Sequence, residues 1–179
     1  MAILSVNQLV TELSKLNTPM YVMFVGLVGS GKSTIIKHIK DFAQFVVVST
    51  DDIIQEQADQ MGITYSQAFK KVSQSKVRRE YNERLQDALY LQRNILVDQT
   101  NLMKSARQKK LRQIPDEYTK VCVIVSVSES EREKRLRDRA ITTGKEIPQH
   151  VQEAMLKSYM TPSKDEGFDK ILQVSGVLS

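Results

Sequence analysis

Eight residues near the N-terminus combine three glycines with a lysine and two serines, in the order Gly26-Leu27-Val28-Gly29-Ser30-Gly31-Lys32-Ser33. This spacing satisfies G-x-x-x-x-G-K-[S/T], in which glycines allow backbone N–H groups to turn inward and approach a phosphate. A following helix would add the partial positive charge of its N-terminus. The pattern predicts a phosphate-binding loop (P-loop), and a glycine turn that happens to precede a helix is the alternative.

The residue types in this loop indicate how it would hold a nucleotide. Lys32 is expected to reach the β- and γ-phosphates of ATP, and the Ser33 hydroxyl is expected to ligate Mg²⁺. The residues predicted to bind the nucleotide are Gly26, Val28, Gly29, Ser30, Gly31, Lys32, Ser33 and Thr34. ATP and Mg²⁺ are therefore the predicted cofactors.

Two sequence features typical of nucleotide-hydrolysing P-loop proteins are absent. The sequence has no Asn-Lys-x-Asp guanine signature, and Asp98, which ends a predicted strand, is followed by Gln99 rather than by a glutamate that could activate water. Both disfavour a GTPase or a motor ATPase and favour transfer of the γ-phosphoryl group to another molecule's hydroxyl. Asp98 is the second predicted metal-site residue beside Ser33, and a turn-initiating aspartate is the alternative.

A phosphoryl acceptor needs a carboxylate near its hydroxyl proton, and ligands of open α/β sheets bind beyond the C-terminal ends of the strands. Asp51 and Asp52 stand there, directly after an apolar run. Their structural interpretation is a pair of first-turn acids that complements a helix dipole. Both interpretations can hold together.

Positive charge for the transition state is expected from the arginine-rich segment 129–139, Glu-Ser-Glu-Arg-Glu-Lys-Arg-Leu-Arg-Asp-Arg. Arg132, Arg135 and Arg139 share one helical face, and Arg137 lies off it. Arginines in a closing element neutralise charge on the transferring group. We interpret the segment as part of a lid, with a solvated, salt-bridged surface as the alternative for any single arginine. The segment Thr-Thr-Gly-Lys-Glu at 142–146 would give that lid its mobility.

Strand and helix patterns alternate along the chain, which favours an α/β fold. Apolar runs predict strands at 21–25, 45–48, 94–97, 121–127 and 171–174. Helical spacing predicts helices at 5–15, 32–42, 51–61, 66–91, 104–113, 129–140 and 148–159. The region 66–91 is one long helix or two abutting ones, because the step from Val72 to Val77 breaks the helical period. The prediction is a P-loop kinase-like parallel β-sheet sandwiched by helices, in a single domain 1–179 with a C-terminal helical lid at approximately 129–160.

Composition places few further limits on function. The chain has 179 residues, of which 41% are hydrophobic and 26% charged, as in a soluble globular protein. A single cysteine, Cys122, permits no intramolecular disulfide, so a cytoplasmic location is predicted. The N-terminal sequence lacks a secretion signal and no apolar run is long enough for a membrane span, so no membrane association is expected.

The net charge of +5 favours a polyanionic partner. Basic residues in two predicted helices could follow a phosphate backbone, and an ordinary soluble surface is the alternative. These residues are Lys70, Lys71, Lys76, Arg78, Arg79 and Arg84, with Lys104, Arg107, Lys109, Lys110 and Arg112. We interpret Phe69, Tyr81 and Tyr90 as core residues rather than as surfaces for base stacking.

The ordered combination of motifs resembles the kinase domain of 5′-hydroxyl polynucleotide kinases, of the phage type and of related end-healing repair enzymes. The resemblance rests on Gly-Leu-Val-Gly-Ser-Gly-Lys-Ser-Thr at 26–34, Ser-Thr-Asp-Asp at 49–52 and Val-Asp-Gln-Thr-Asn-Leu at 97–102. It continues in a tail similar to the family's lid and closing segment. The matching tail positions are Arg139, Gly144, Ile147, Pro148, Val151, Met155, Pro162 and Glu166-Gly167-Phe168-Asp169.

This resemblance implies a function and a role for each matching residue. Asp51 would be the general base that activates the 5′-hydroxyl of DNA or RNA, and Lys32 would act on the ATP phosphates. Arg135, Arg137 or Arg139 would be lid arginines in catalysis. Asp51, Asp52, Thr100 and Asn101 would bind the substrate. The location would be the cytoplasm, or the host-cell cytoplasm if the protein is phage-encoded.

The sequence also departs from that family. Phage relatives have an arginine after the acidic pair that helps to hold the nucleic-acid phosphate, whereas Ile53 and Ile54 follow here. Two other functions stay open at this point. One is a kinase for a small-molecule, nucleoside, nucleotide or modified-base hydroxyl, because acceptor choice depends on the pocket. The other is a nucleotide-binding interaction module that transfers no phosphate.

Overall fold

The central sheet is built from short apolar runs. The computed structural model describes residues 2–143 and 146–177. Its strands are β1 (Ile3–Leu4), β2 (Met20–Val25), β3 (Val46–Ser49), β4 (Ile95–Asp98), β5 (Thr119–Ser126) and β6 (Lys170–Ser175). They pair in parallel in the order β1-β6-β5-β2-β4-β3. All six residues of β2 are buried, as a central strand covered by helices on both faces requires.

Eight α-helices of the described chain flank this sheet. They are α1 (Val6–Ser14), α2 (Lys32–Ile39), α3 (Thr50–Met61), α4 (Tyr65–Lys71), α5 (Gln74–Tyr90), α6 (Lys104–Leu111), α7 (Glu129–Thr143) and α8 (Gln149–Ser158). A 3₁₀ turn spans Lys164–Glu166. None of the helices within residues 2–143 and 146–177 has the length and apolar character needed to cross a membrane.

Alternate residues of β2 face two separate hydrophobic cores. Met20, Val22 and Phe24 pack with apolar residues of α1 and α2 on one face. Tyr21, Met23 and Val25 pack with apolar residues of α3, α4, α5 and α6 on the other. This alternation follows from the two-residue period of a strand, and it fixes the register of the sheet.

The predicted α/β fold is confirmed, with differences in detail. The region 66–91 forms two helices, because Val72 is extended (ψ 142°) where the helical period breaks. Strand β1 was not predicted, since two residues carry no recognisable pattern. Helix α2 ends at Ile39 rather than at 42, and α7 continues to Thr143 rather than ending at 140. The predicted lid residue Gly144 lies outside the described residues.

Candidate active site

Three neighbouring strands bring the predicted site residues to one edge of the sheet. Strands β2, β4 and β3 are adjacent and parallel, so the segments that follow them meet at their carboxyl ends. Ser49 at the end of β3 lies in register with Asp98 at the end of β4. The P-loop after β2, the metal-site candidate Asp98 and the acidic pair after Ser49 therefore share this edge.

The P-loop has the backbone geometry that a phosphate cradle needs. Gly29 and Gly31 have φ angles of 81° and 100°, which disfavour residues with a side chain. A Cβ at Gly26 would lie 2.5 Å from the Val125 carbonyl oxygen. Gly31 precedes α2 without any side-chain cap, so the first N–H groups of that helix are left to an anion. The loop fits a bound polyphosphate.

Lys32 lies over this loop with only 7% of its surface exposed. Its Nζ donates hydrogen bonds to the carbonyl oxygens of Gly26 (2.8 Å) and Leu27 (3.0 Å). Burial lowers the pKa of Lys32 to about 8; the nearby carboxylates of Asp98 and Asp51 oppose this shift. The ammonium therefore lies close to both candidate carboxylates, where phosphate charge would stabilise it.

Ser33 and Asp98 supply oxygen ligands of the kind that Mg²⁺ prefers. The Ser33 hydroxyl is hydrogen-bonded to Asp98, and burial raises the pKa of this carboxyl against the effects of Ser33 and Lys32. The described residues hold no group of three or more His, Cys, Asp and Glu that could bind a metal by themselves. Because Mg²⁺ is commonly held by one or two protein oxygens together with phosphates and water, this pair fits it.

Asp51 lies in the first turn of α3, on an exposed surface beside the P-loop. The Ser49 hydroxyl accepts a hydrogen bond from the Asp52 N–H (3.2 Å) and caps the helix, so the acidic pair also complements the helix dipole. The Tyr65 hydroxyl donates to Asp51 Oδ1 at 2.9 Å. Burial and the Asp51 carboxylate raise the pKa of Tyr65, which keeps its hydroxyl protonated as a donor.

The three candidate lid arginines have different surroundings. Arg139 is half-buried, and its charge acts on Lys32, Asp98 and Tyr65. Arg135 is held by Glu131 (2.7 Å) and by the Gly176 carbonyl (2.9 Å). The Arg137 side chain is 68% exposed, with its Nη1 3.7 Å from Glu133 Oε2.

The structure thus brings Arg139 to the site and does not bring Arg137 there. Arg135 lies at the edge of the P-loop, where its Nη1 would be 2.9 Å from a Cβ on Gly31. The catalytic roles of all three stay predictions.

Helix α7 packs directly on the P-loop. A Cβ at Gly29 would lie 3.2 Å from both Arg132 Cγ and Leu136 Cγ. These two residues are 6% and 8% exposed. Arg132 therefore has a structural role, and the packing of α7 on the P-loop positions Arg139.

Gly176, which follows β6, braces the loop from the other side. A Cβ there would lie 1.8 Å from the Ser30 carbonyl oxygen, a separation that no side chain tolerates. Sequence reasoning missed this contact, because nothing local marks Gly176 as a partner of a loop about 145 residues earlier. Tyr65 was missed for the same reason, since a tyrosine after a helix cap has no signal of its own.

The segment after β4 supports the P-loop through its amide groups. The Thr100 carbonyl accepts a hydrogen bond from the Gly26 N–H (3.1 Å). Asn101 is 5% exposed and donates from Nδ2 to the Phe24 carbonyl (2.8 Å). Lys110 donates to Asn101 Oδ1 (2.5 Å) and to Gln99 Oε1, and burial lowers its pKa to about 8. The substrate-binding roles of Thr100 and Asn101 stay predictions.

Several residues of the predicted basic surface are not available to a partner. Arg107 and Glu166 form a doubly hydrogen-bonded ion pair (2.6 and 2.7 Å), and both side chains are fully buried. The interpretation of Arg107 as a surface residue is therefore wrong. Lys104 pairs with Asp165 at 2.5 Å, and Arg84 with Glu56 and Glu80. The predicted basic residues that are exposed are Lys70, Lys71, Lys76, Arg78 and Arg79 on α4 and α5, with Lys109 and Arg112 after β4.

Two aromatic residues are also placed differently from expectation. Tyr81 is 5% exposed, as a core residue should be. Phe69 is 51% exposed and Tyr90 is 87% exposed, so their interpretation as core residues is wrong. Both lie on amphipathic helices whose apolar spacing is wider than the face that the core covers.

Comparisons with known proteins agree with this fold. Residues 22–162 match the family described as AAA domain. A gluconokinase from Sinorhizobium meliloti 1021 is similar in structure, with a TM-score of 0.55, 19% identity and coverage of 90% of this chain and 85% of that one. A protein of Chloroflexus aurantiacus j-10-fl with a provisional kinase designation has a TM-score of 0.61, 14% identity and coverage of 89% and 86%.

A chain of the PezAT chromosomal toxin-antitoxin system of Streptococcus pneumoniae is similar to the same degree. Its TM-score is 0.62 at 14% identity, and the match covers 95% of this chain and 75% of that one. The architecture is the P-loop kinase fold. The chain belongs to the AAA domain family.

Proposed function

We propose that this protein is an ATP-dependent phosphotransferase that phosphorylates the 5′-hydroxyl end of DNA or RNA. The observation that carries the proposal is the placement of Asp51. Its carboxylate is exposed at the carboxyl edge of the sheet, oriented by Tyr65, and close enough to Lys32 to influence the titration of that lysine. A nucleotide-binding switch without transfer would have no use for such a base.

The chain's own residues suit in-line transfer. Tyr65 holds one Asp51 oxygen, and the other is left to take the proton of the acceptor hydroxyl. The acceptor oxygen then bonds to the γ-phosphorus as the bond to the β-phosphate oxygen breaks, and ADP leaves. Lys32 and Arg139 offset the charge on the transferring group. When bound through Ser33 and Asp98, Mg²⁺ would neutralise β- and γ-phosphate charge.

A polynucleotide acceptor is supported by exposed basic residues on the helix that contacts Asp51 and on the helix that follows it. Helix α4, whose Tyr65 contacts Asp51, ends in exposed Lys70 and Lys71, and the start of α5 adds exposed Lys76 and Arg78. These charges could hold the phosphates that follow a 5′-terminal nucleoside.

A small-molecule hydroxyl is the second candidate acceptor. One structural neighbour is a gluconokinase. In addition, Ile53 and Ile54 are 0% and 2% exposed and belong to the core. They cannot replace the phosphate-binding arginine of phage polynucleotide kinases, so a nucleic acid must be held elsewhere on this surface.

The test is transfer of label from γ-labelled ATP with Mg²⁺ to 5′-hydroxyl DNA and RNA oligonucleotides, nucleosides and gluconate. We expect label on oligonucleotide 5′ ends, with a KM that rises steeply with salt. Lys70→Glu with Lys71→Glu should raise that KM, whereas Lys109→Glu, an exposed lysine on α6, should not. Label on gluconate or a nucleoside alone would establish the second candidate, and ATP binding without any transfer would refute both.

A further inference from the structure

We propose that the rings of Tyr65 and Phe69 form an aromatic platform that stacks against the nucleobase of the acceptor's 5′-terminal nucleoside. The inference rests on the proposed function and specifies how that site would recognise its acceptor. The two rings lie one helical turn apart on α4, with centroids 6.2 Å apart and planes inclined by 28°. Tyr65 is half-buried against the core and Phe69 is exposed, so the stacked pair presents the Phe69 ring to solvent. Exposed aromatic rings stack on bases regardless of sequence.

The platform is directly connected to Asp51, the candidate general base. Tyr65 donates its hydroxyl hydrogen bond to Asp51 Oδ1, so the platform begins one hydrogen bond from the carboxylate. The nucleobase and the 5′-hydroxyl of one nucleoside are separated by a single sugar. A nucleobase stacked on the platform would therefore place the 5′-hydroxyl of the same nucleoside close to Asp51.

Phe69 lies beyond the face of α4 that the core covers, so its ring is available to a ligand. Ala68 of the same helix is completely buried, whereas Phe69 is 51% exposed. The Thr64–Gln67 capping box fixes the start of α4 directly before Tyr65. The next two residues, Lys70 and Lys71, are exposed and cationic. Aromatic rings followed by lysines match a nucleobase followed by its phosphate backbone better than they match a sugar acid, which has no planar ring to stack.

The test compares acceptor oligonucleotides that differ only at the 5′ end, one with adenine and one with an abasic site. Phe69→Leu removes the planar face and keeps an apolar helix former, and Phe69→Trp keeps the planar face. We expect Phe69→Leu to raise the KM for the adenine acceptor by about 5- to 150-fold, the range of base–aromatic stacking energies. The KM for the abasic acceptor should not change, and Phe69→Trp should restore binding.

A matched control and a binding assay complete the design. Tyr90→Ala removes another exposed ring, which ends α5 just before β4 begins and so lies at the opposite edge of the sheet. It should leave both KM values unchanged. The fluorescence of a 5′-terminal 2-aminopurine should be quenched on binding to the wild type and quenched less on binding to Phe69→Leu, and the wild-type chain has no tryptophan to interfere.

The outcomes separate this inference from the proposed function. Equal wild-type KM values for the two acceptors, or an equal loss on both in Phe69→Leu, would overturn the platform while leaving the kinase activity established. Absence of label on every oligonucleotide would overturn the proposed function, and the platform with it.

Discussion

The buried ion pair between Arg107 and Glu166 gives the sharpest prediction for stability. The guanidinium donates to both carboxylate oxygens of Glu166, and its Nη1 also donates to the carbonyls of Asn101 (2.9 Å) and Leu102 (2.7 Å). Arg107 thereby joins the closing segment of the chain to the loop after β4. Glu166→Gln keeps the shape and removes the charge that balances the guanidinium.

The magnitude follows from burial. Both side chains are 0% exposed, so water cannot replace the lost charge, and breaking such a pair costs about 3–5 kcal/mol. Domains of this size are stable by only about 5–15 kcal/mol. Glu166→Gln should therefore remove a large fraction of the free energy of unfolding. Replacing both partners by methionine should cost less than this single change, because no buried charge is left.

The assay is urea unfolding followed by far-ultraviolet circular dichroism. The matched control is Asp165→Asn, which breaks the neighbouring Lys104–Asp165 pair, whose side chains are 33% and 65% exposed. Water screens that pair, so the urea midpoint should hardly move. A loss below about 1 kcal/mol for Glu166→Gln would refute the reasoning.

Three further predictions concern nucleotide binding. Burial lowers the pKa of Lys32 to about 8, so this side chain is neutral in about half of the molecules at pH 8 without nucleotide. Phosphate favours the charged form. ATP binding should therefore take up about half a proton at pH 8 and should weaken as the pH rises. Calorimetry in buffers of different ionisation enthalpy measures this uptake, and zero uptake at pH 8 would contradict it. Gly176→Ala places a Cβ 1.8 Å from the Ser30 carbonyl and should weaken ATP binding by about tenfold or more. Gly62→Ala has no atom within 4 Å of its Cβ but a φ of 63°, so it should lower stability and leave ATP affinity unchanged; equal affinities of the two variants in a titration would oppose this. Asp98→Asn should raise the Mg²⁺ concentration for half-maximal transfer, and an unchanged Mg²⁺ titration would exclude Asp98 from the metal site.

The parts of this protein that the sequence predicts well are those with local patterns. The P-loop spacing identifies Lys32 and Ser33, since the motif is contiguous and lies between a strand and a helix. Asp51 and Asp98 are identifiable because each lies at or just after the end of a strand, and adjacent parallel strands bring their carboxyl ends to one edge of the sheet. Apolar runs and helical spacing likewise predict the alternation of strands and helices.

The parts that the sequence does not predict depend on contacts between distant segments. Gly176 meets the P-loop, and Tyr65 meets Asp51, only once the chain is folded. Arg107 belongs to a basic run in sequence, yet its carboxylate partner lies 59 residues away and draws it into the interior. Phe69 shows the reverse case, because apolar spacing predicts which residues can be buried and not whether the core reaches them.

The most direct test of the account is the comparison of turnover and ATP affinity in Asp51→Asn. This variant keeps the size and a hydrogen-bond acceptor for Tyr65 and removes the proton acceptor. We expect kcat for oligonucleotide 5′-phosphorylation to fall by about 10²- to 10⁴-fold, while the Kd for ATP stays within about threefold of wild type, because Lys32 and the P-loop hold the nucleotide. Turnover close to wild type would contradict the assignment of Asp51 as the base, and with it the central claim about this site.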